Sequence, residues 1–494
     1  MNRHRRVLMT AKGAGSSDAS TRTDRSEYRA TLESLYRRRR FGLRPGLDVI
    51  RELLAALGSP ERAYPSVHVT GSKGKGSVAA MAQSVLSASG LRTALFTSPH
   101  LESYRERIRV DRRTIEPSAV VEGVHRVDAA ADRLEASGRI ERSPTFFEVT
   151  TALAFDWFAR EGAQAAVIEV GIGGRLDATN VLDARVGVIT TLELEHTDVL
   201  GPTLEAIASE KAGILHPGMT GVVGELPRAA ATLVEREAAR SGVPLWHLGT
   251  EVRVSDRVLT ETGQRFSVRL PGQMWEAVEI PLLGRFQPGN AALALASARR
   301  LADSLGWTLP EEAVRSGLRS VRWRARLERV AVRPELYYDV AHTPESARSV
   351  AQSLAEIAPL ADPSTSAVVF GCLRGKDVPR ILEAFATLAH TLVVVPVRSE
   401  RGLPPAEVRA AASGRFPRVV EAPSAAEGLR LGRLATGPEG FTLVVGSDYL
   451  IGELLREKND DEPDLSDPGL SGASTQARSL PAARPAEGSP RGRR

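Results

Sequence analysis

Cysteine is almost absent: Cys372 is the only one in 494 residues. That excludes an internal disulfide and any zinc cluster built on cysteine. Because it follows the apolar run 367–370, Cys372 reads as a packed core thiol rather than a nucleophile. No apolar run approaches the roughly 18 residues of a membrane span, so no membrane partner is expected. The basic start, MNRHRRVLMTAKGAGSSD, has no apolar h-region and does not read as a secretory signal. Its Arg and Ser content is compatible with an organellar presequence, but a disordered extension on a cytoplasmic enzyme is the better reading. A net charge of +5 is small for this length. The arginines are scattered rather than gathered on one element, so nucleic acid is not an expected partner. No internal repeat is visible.

What is present is globular composition, with 42% hydrophobic and 25% charged residues. The chain is too long for one ordinary core, so two domains are expected. The stretch VHVTGSKGKGS at 67–77 organises the reading. Val67, His68 and Val69 form a short strand, and Val78, Met81, Val85 and Leu86 begin a helical pattern. Between them Gly71, Gly74 and Gly76 let the backbone turn and approach a ligand. Strand, glycine loop and helix make a phosphate cradle from Gly71, Ser72, Lys73, Gly74, Lys75, Gly76 and Ser77. Loop N–H groups and the helix N-terminus face the anion, and Lys75 adds a point charge. The match to G-x-x-x-x-G-K-[ST] is not strict, because Gly76 separates Lys75 from Ser77.

Helical spacing covers 26–57, interrupted by the turn signal FGLRPG at 41–46. Continuous apolar runs at 165–170 and 186–191 read as buried parallel strands. They alternate with helical patterns at 117–136, 145–161 and 203–212. Residues 251–283 change to short β-like stretches, and 288–305 returns to helix. A second alternating series begins near 321. The expected fold is α/β. An N-terminal P-loop-type ATPase domain with a mostly parallel, doubly wound sheet spans 26–320. A smaller Rossmann-like α/β domain spans 321–456. Residues 1–25 and 457–494 read as a disordered extension and tail.

Glu169 ends a buried-looking strand at the carboxyl edge, where open α/β sheets bind ligands. A carboxylate there is costly unless it holds a cation or a hydrogen-bond network. Side-chain amides at Gln287 and Asn290 offer donor and acceptor together, which suits an adenine edge, although Asn290 could equally be a helix N-cap. Taken alone, Ser98 is a turn serine before Pro99, His196 a packed or surface histidine, and Lys211 a solvated helical charge.

Seven motifs, in this order, make the sequence recognisable: HVTGSKGKGS at 68–77, TSPHL at 97–101, EVGIGGRLDATN at 169–180, HTDVLGPTLEAIASEKAGIL at 196–215, GRFQPGN at 284–290, DVAH at 339–342 and GSDYLIGE at 446–453. Together they resemble the folylpolyglutamate synthase/dihydrofolate synthase family of the Mur ligase superfamily. The resemblance covers about 30–456. It implies an amide ligase in which ATP phosphorylates a carboxylate and an amino acid amine attacks the acyl phosphate. By resemblance, Ser98, Glu169 and His196 hold one or two Mg²⁺ ions, and Lys211 is carbamylated and helps to hold the metal. Lys75, Lys211 and His342 are the implied catalytic groups. Gln287, Asn290, Arg326 and Asp339 join the glycine loop around ATP, and Lys376 and Ser447 lie on the glutamate side. Three positions depart from the family's pattern: Glu195 where Asp is usual, Phe286 where His is usual, and Thr343 where Asn is usual. The implied partners are ATP, L-glutamate and a reduced folate or dihydropteroate, taken by a monomer. Two alternatives are another Mur-type ligase acting on a cell-wall or polymer precursor, and a nucleotide-binding module without catalysis. The GKGS loop, TSPHL and GIGGRLDATN argue against the former. The intact set Lys75, Glu169, His196 and Lys211 argues against the latter.

Overall fold

The computed structural model describes residues 16–38, 46–359 and 363–456. The N-terminal unit opens with helices α1 (Ser16–Arg37) and α2 (Asp48–Ala56). Strand β1 (Ser66–Thr70) feeds α3 (Lys75–Ala88), and β2 (Thr93–Phe96), β3 (Ile108–Val110) and β4 (Arg113–Thr114) follow. Next come α4 (Pro117–Ala136), α5 (Phe146–Arg160), β5 (Ala165–Glu169), β6 (Val186–Ile189), α6 (Thr197–Leu200) and α7 (Leu204–Ala212). β7 (Thr220–Val223), α8 (Arg228–Arg240) and β8 (Leu245–His247) complete the sheet.

The sheet has eight strands in the order β4-β3-β2-β5-β1-β6-β7-β8. It is parallel from β2 to β8, with β3 and β4 running antiparallel at one edge. Both faces are covered, as a parallel sheet requires. Along β5, Ala166 and Ile168 face the core shared with α4 and α5, while Ala165 and Val167 face the core shared with α3. That two-sided burial is why β5 reads as an unbroken apolar run.

Strands β9 (Arg253–Thr260), β10 (Gly263–Leu270) and β11 (Gln273–Ile280) form a separate antiparallel sheet of eight-residue strands, longer than the short stretches expected. Its inner face, including Phe266, Val268 and Leu270, packs into the same core as α3. Helices α9 (Gln287–Leu305) and α10 (Glu311–Arg319) close this unit.

The C-terminal unit consists of β12 (Glu328–Val332), β13 (Glu335–Tyr338), α11 (Pro344–Ile357), β14 (Ala367–Phe370), α12 (Val378–Ala386) and β15 (Thr391–Val394), then α13 (Pro405–Ala412), β16 (Arg418–Glu421), α14 (Ala425–Ala435), β17 (Phe441–Val445) and α15 (Asp448–Arg456). Its strand order is β12-β13-β17-β14-β15-β16, parallel except for the β12–β13 pair. Val368 and Phe370 enter one core and Val369 the other. Cys372 is fully buried in the first of these, and burial pushes its thiol up to about 12. It is core packing, as expected.

One expectation is corrected at the N-terminus. Helix α1 already begins at Ser16, inside the stretch 1–25 read as disordered. The bias toward small, polar and basic residues concealed a helical register. Residues 1–15, most of the 41–46 turn and the 457–494 tail lie outside the described residues. No helix among the described residues is long and apolar enough to cross a membrane.

Candidate active site

The carboxyl edges of the two parallel sheets meet at a cavity of about 350 Å³. From the N-terminal unit it is lined by the 72–77 loop, Ser98, Glu169, Glu195, His196 and Asn290. Arg326, Asp339, His342, Lys376, Ser447 and Asp448 line it from the C-terminal side. Of the residues expected at the site, Gly71, Lys211 and Gln287 are not on the wall.

The glycine loop is built on close approaches. Gly71 has φ +144°, and a Cβ there would lie 1.9 Å from Thr190 Oγ1. Gly74 has φ +86°, and its Cβ would lie 2.6 Å from Asn290 Oδ1. Only glycine fits both positions. The loop is stitched to the end of β6: Ser72 N donates to Thr191 O at 2.7 Å and Lys73 N to Thr191 Oγ1 at 2.9 Å. Helix α3 starts at Lys75 with no side-chain cap at Gly74, so its first N–H groups are open to an anion.

Behind the loop lies a charge cluster drawn from separate stretches of the sequence. Lys75 Nζ donates to Gly71 O at 2.8 Å. Glu195 accepts from Lys73 Nζ at 3.1 Å and from Lys211 Nζ at 3.3 Å. Lys211 also donates to Gly71 O at 2.9 Å and is 1% exposed. Burial works to raise the Glu195 carboxyl, but Lys73, Lys75 and Lys211 outweigh it and hold the group well below the usual carboxylate range. Burial and Lys75 lower the Lys211 ammonium to about 8. Here Lys211 acts as an ammonium holding the loop from behind, and it offers no oxygen to a cation. In the sequence Glu195 stands out only as a departure from the usual Asp. Two acidic residues directly after a buried strand were the available signal.

Glu169 is buried, and its Oε2 accepts from Ser98 N at 3.0 Å. Burial raises its carboxyl above the ordinary value, against the pull of Lys75 and Arg326. Ser98 Oγ is buried with no partner. An orphaned hydroxyl beside a buried carboxylate costs free energy unless something accepts or binds it. His196 lines the same cavity, held neutral because burial lowers it to about 4. Among the described residues no three His, Cys, Asp or Glu side chains gather into a ready cation cage.

The rest of the 169–180 motif supports this edge. Asp177 accepts from Ile172 N at 3.0 Å and from Thr179 N at 3.0 Å, and Asn180 Nδ2 reaches Arg175 O and Gly213 O. The motif is thus a loop at the end of β5, laced to itself and to the end of α7.

Asn290 lies in the first turn of α9 rather than at its N-cap, which is Phe286. Gln287 is fully buried beneath the wall: its Nε2 reaches Ser77 Oγ at 3.5 Å, and its Oε1 accepts from Asn290 Nδ2 at 3.1 Å. It orients Ser77 and Asn290 instead of meeting a base. The sequence alone could not tell the two roles apart, since both need an amide at the helix start.

On the opposite wall, Arg326 sits between Ala325 (φ +54°) and Leu327 (φ +52°), two left-handed residues. Carboxylates hold this costly turn: Ala325 N donates to Glu328 Oε2 at 2.8 Å and Leu327 N to Asp339 Oδ2 at 2.7 Å. Asp339 Oδ1 accepts from Ala341 N at 2.7 Å. Burial lifts the Asp339 carboxyl to about 6, against Arg326. Asp339 therefore shapes the turn that carries Arg326. His342 Nδ1 lies 2.8 Å from Val340 O, so the ring donates there and turns Nε2 outward as an acceptor. Burial, with Lys73 and Lys376, lowers it to about 3. Thr343 caps α11 through a bond from Ser346 N, so the departure there serves the helix. Burial, Lys73 and Arg401 lower the Lys376 ammonium. Ser447 accepts from Tyr449 N at 3.1 Å at the start of α15.

A loop-to-helix anion cradle facing a second α/β unit that carries an arginine across the cleft defines an ATP-dependent ligase of the Mur type. Residues 69–298 match the Mur ligase middle domain, and residues 325–448 match the Mur ligase glutamate ligase domain. The chain is 36% identical to the folylpolyglutamate synthase of Lacticaseibacillus casei over 74% of its own length and 85% of that protein. It is 33% identical to the dihydrofolate synthase/folylpolyglutamate synthase of Bacillus subtilis, over 74% and 84%. It superposes on the Mycobacterium tuberculosis folylpolyglutamate synthase complexed with ADP and AMPPCP with a TM-score of 0.80 and 33% identity, over 88% of this chain and 98% of that one. The chain belongs to the folylpolyglutamate synthase/dihydrofolate synthase family.

Proposed function

We propose that the protein adds L-glutamate to the carboxylate of a reduced folate, using ATP, and that it works as a monomer in the cytoplasm. The observation that carries this reading is the cavity itself: an uncapped helix start and Lys75 on one wall face Arg326 on the other. Family membership supplies the substrate class. Addition of glutamate to dihydropteroate belongs to the same proposal, since the relatives include proteins named for both activities.

ATP lies along the 71–77 loop, with its phosphates on the loop N–H groups and Lys75. Asn290 reads the base side. The orphaned Ser98 hydroxyl and the buried Glu169 carboxylate fit Mg²⁺, which takes few protein oxygens and keeps waters and phosphates as its other ligands. Neutral His196 completes that edge. A second ion would share these groups. When bound, Mg²⁺ would neutralise the phosphate charge as it moves to the folate carboxylate. Arg326 presents a planar fork to the same phosphates from across the cleft. Neutral His342, with Nε2 turned outward as an acceptor on the cavity wall, is the group assigned to receive the proton of the incoming amine. Lys376 and Ser447 receive the carboxylates of glutamate.

Carbamylation of Lys211 is the finer part of the proposal. A lysine lowered to about 8 has a neutral fraction at physiological pH, which CO₂ requires. Conversion reverses its charge, so Glu195 must then rely on Lys73. A ¹³C carbamate resonance after labelling with bicarbonate, absent in Lys211→Ala, tests it. Partial recovery of that variant's activity in acetate would agree.

A thermal-shift panel with ATP, dihydropteroate, tetrahydrofolate and a UDP-sugar tests the substrate class. Stabilisation by ATP and a pteridine ligand, with none from the UDP-sugar, is expected. The reverse pattern would favour a cell-wall ligase.

A further inference from the structure

The loop that leaves β2 joins the two walls of the cavity. At one end Ser98 N binds the Glu169 carboxylate. Three residues on, Leu101 leaves its own unit and packs against the core of the C-terminal unit. The turn that begins at Leu101 is fixed by one carboxylate: Glu106 accepts from Leu101 N at 3.0 Å, Glu102 N at 2.9 Å and Ser103 N at 2.8 Å. Glu102 then pairs with Arg324 at 2.5 Å, in the connection between the units.

The receiving surface is Gly452, in the middle of α15. A Cβ built there would lie 2.2 Å from Leu101 O. Glycine weakens a helix interior relative to alanine, so its presence in mid-helix calls for a reason, and close backbone approach is one. The same helix begins with Asp448 and Tyr449 on the cavity wall. One backbone-to-backbone contact therefore lies between Ser98 on the nucleotide wall and Asp448 on the opposite wall, with the Glu106-clamped turn on one side and α15 on the other.

We propose that the Leu101–Gly452 contact is a positioning site that sets the spacing of the two walls, and with it the distance between the activated carboxylate and the incoming amine. The proposal rests on the ligase reading above. Gly452→Ala should force α15 away from the loop. Misplacement on the scale of an ångström can lower turnover about 10²-fold. In the full-length protein, kcat for ligation should fall on that order and KM for glutamate should rise. KM for ATP should change far less than kcat, because the 72–77 loop and Lys75 lie away from the contact. Amide hydrogen exchange across 98–103 should quicken in the variant, a readout that needs no turnover. Leu101→Ala keeps the carbonyl but loses the packing, and it should shift the same quantities in the same direction by less. If Gly452→Ala fails to fold, Leu101→Ala decides by the same split. Parental kcat together with unchanged exchange at 98–103 would overturn the proposal. So would a loss of ATP affinity in step with kcat. If the parent itself shows no ligation, the ligase reading fails, and the exchange comparison still judges the contact.

Discussion

The N-terminal wall of the cavity turns its charges on one another, while the C-terminal wall ties its polar groups to its own backbone. Lys73, Lys75, Lys211 and Glu195 form a cluster in which each charge is answered by another or by the Gly71 carbonyl. Asp339, His342 and Ser447 instead hold backbone N–H and C=O groups of the C-terminal unit. The difference separates two tasks. The first wall must receive a highly charged anion, so it keeps cations ready beside a displaceable anion. The second must hold Arg326 and the amine-side groups at a fixed place, so its carboxylates are backbone clamps.

The largest expected effect comes from breaking the first wall. Lys75→Ala should lower ligation on the order of 10²- to 10³-fold, the loss typical of one transition-state donor. Its circular dichroism should match the parent, because Lys75 faces the cavity from the first turn of α3 rather than packing in a core. Turnover at the parent rate would remove the loop from the mechanism.

Glu169→Gln keeps volume and removes charge. A drop of about 10²-fold is expected, with little recovery as Mg²⁺ is raised. Full activity at low Mg²⁺ would show that Glu169 serves only to hold Ser98 N.

Arg326→Lys sharpens the contrast between the walls. It keeps the charge but loses the fork, so turnover should fall roughly 10- to 100-fold, the worth of a charge-assisted hydrogen bond. ADP affinity, measured by calorimetry, should change little. Equal losses in both would place Arg326 with the nucleotide-binding wall.

Asp339 gives a pH test of the second wall. Its carboxyl is raised by burial from the ordinary 3.8 to about 6. Between those values the folded chain holds a proton that the unfolded chain has released, so this group's contribution to stability falls as pH rises. Asp339→Asn lacks that dependence. Its urea midpoint, relative to the parent, should rise from pH 4 to pH 6. A constant offset would mean that Asp339 is already ionised in the folded chain at pH 4.

The smallest effect belongs to Gln287. Gln287→Leu leaves Ser77 Oγ and Asn290 Nδ2 without their partner, which costs about 1–3 kcal/mol. A modest rise in KM for ATP should accompany it. A variant as tight for ATP as the parent would show that Asn290 needs no support.

Much of the first wall was legible in the sequence. A glycine loop between strand and helix, and a carboxylate ending a continuous apolar strand, are local patterns with local causes. Both parallel sheets followed from apolar runs alternating with helical spacing. Less of the second wall could be read. The left-handed turn at Ala325–Leu327 contains no glycine, and one of the carboxylates that support it, Asp339, comes two strands later. Glu195 looked like a departure from a motif because the three lysines that hold it come from two separate stretches. Gln287 and Asn290 carry the same chemistry three residues apart, and only packing shows that one lies under the wall and the other on it. Likewise Leu101 and Gly452 are hundreds of residues apart, and no periodicity links them.

The central claim is that both walls act together on an acyl phosphate, and ADP release measures it most directly. Purified protein with ATP and Mg²⁺ should release ADP at a substantial rate only when tetrahydrofolate and L-glutamate are both present, with one glutamylated product formed per ADP. ADP release that ignores both substrates, or none with any folate or pteroate tested, would contradict the account.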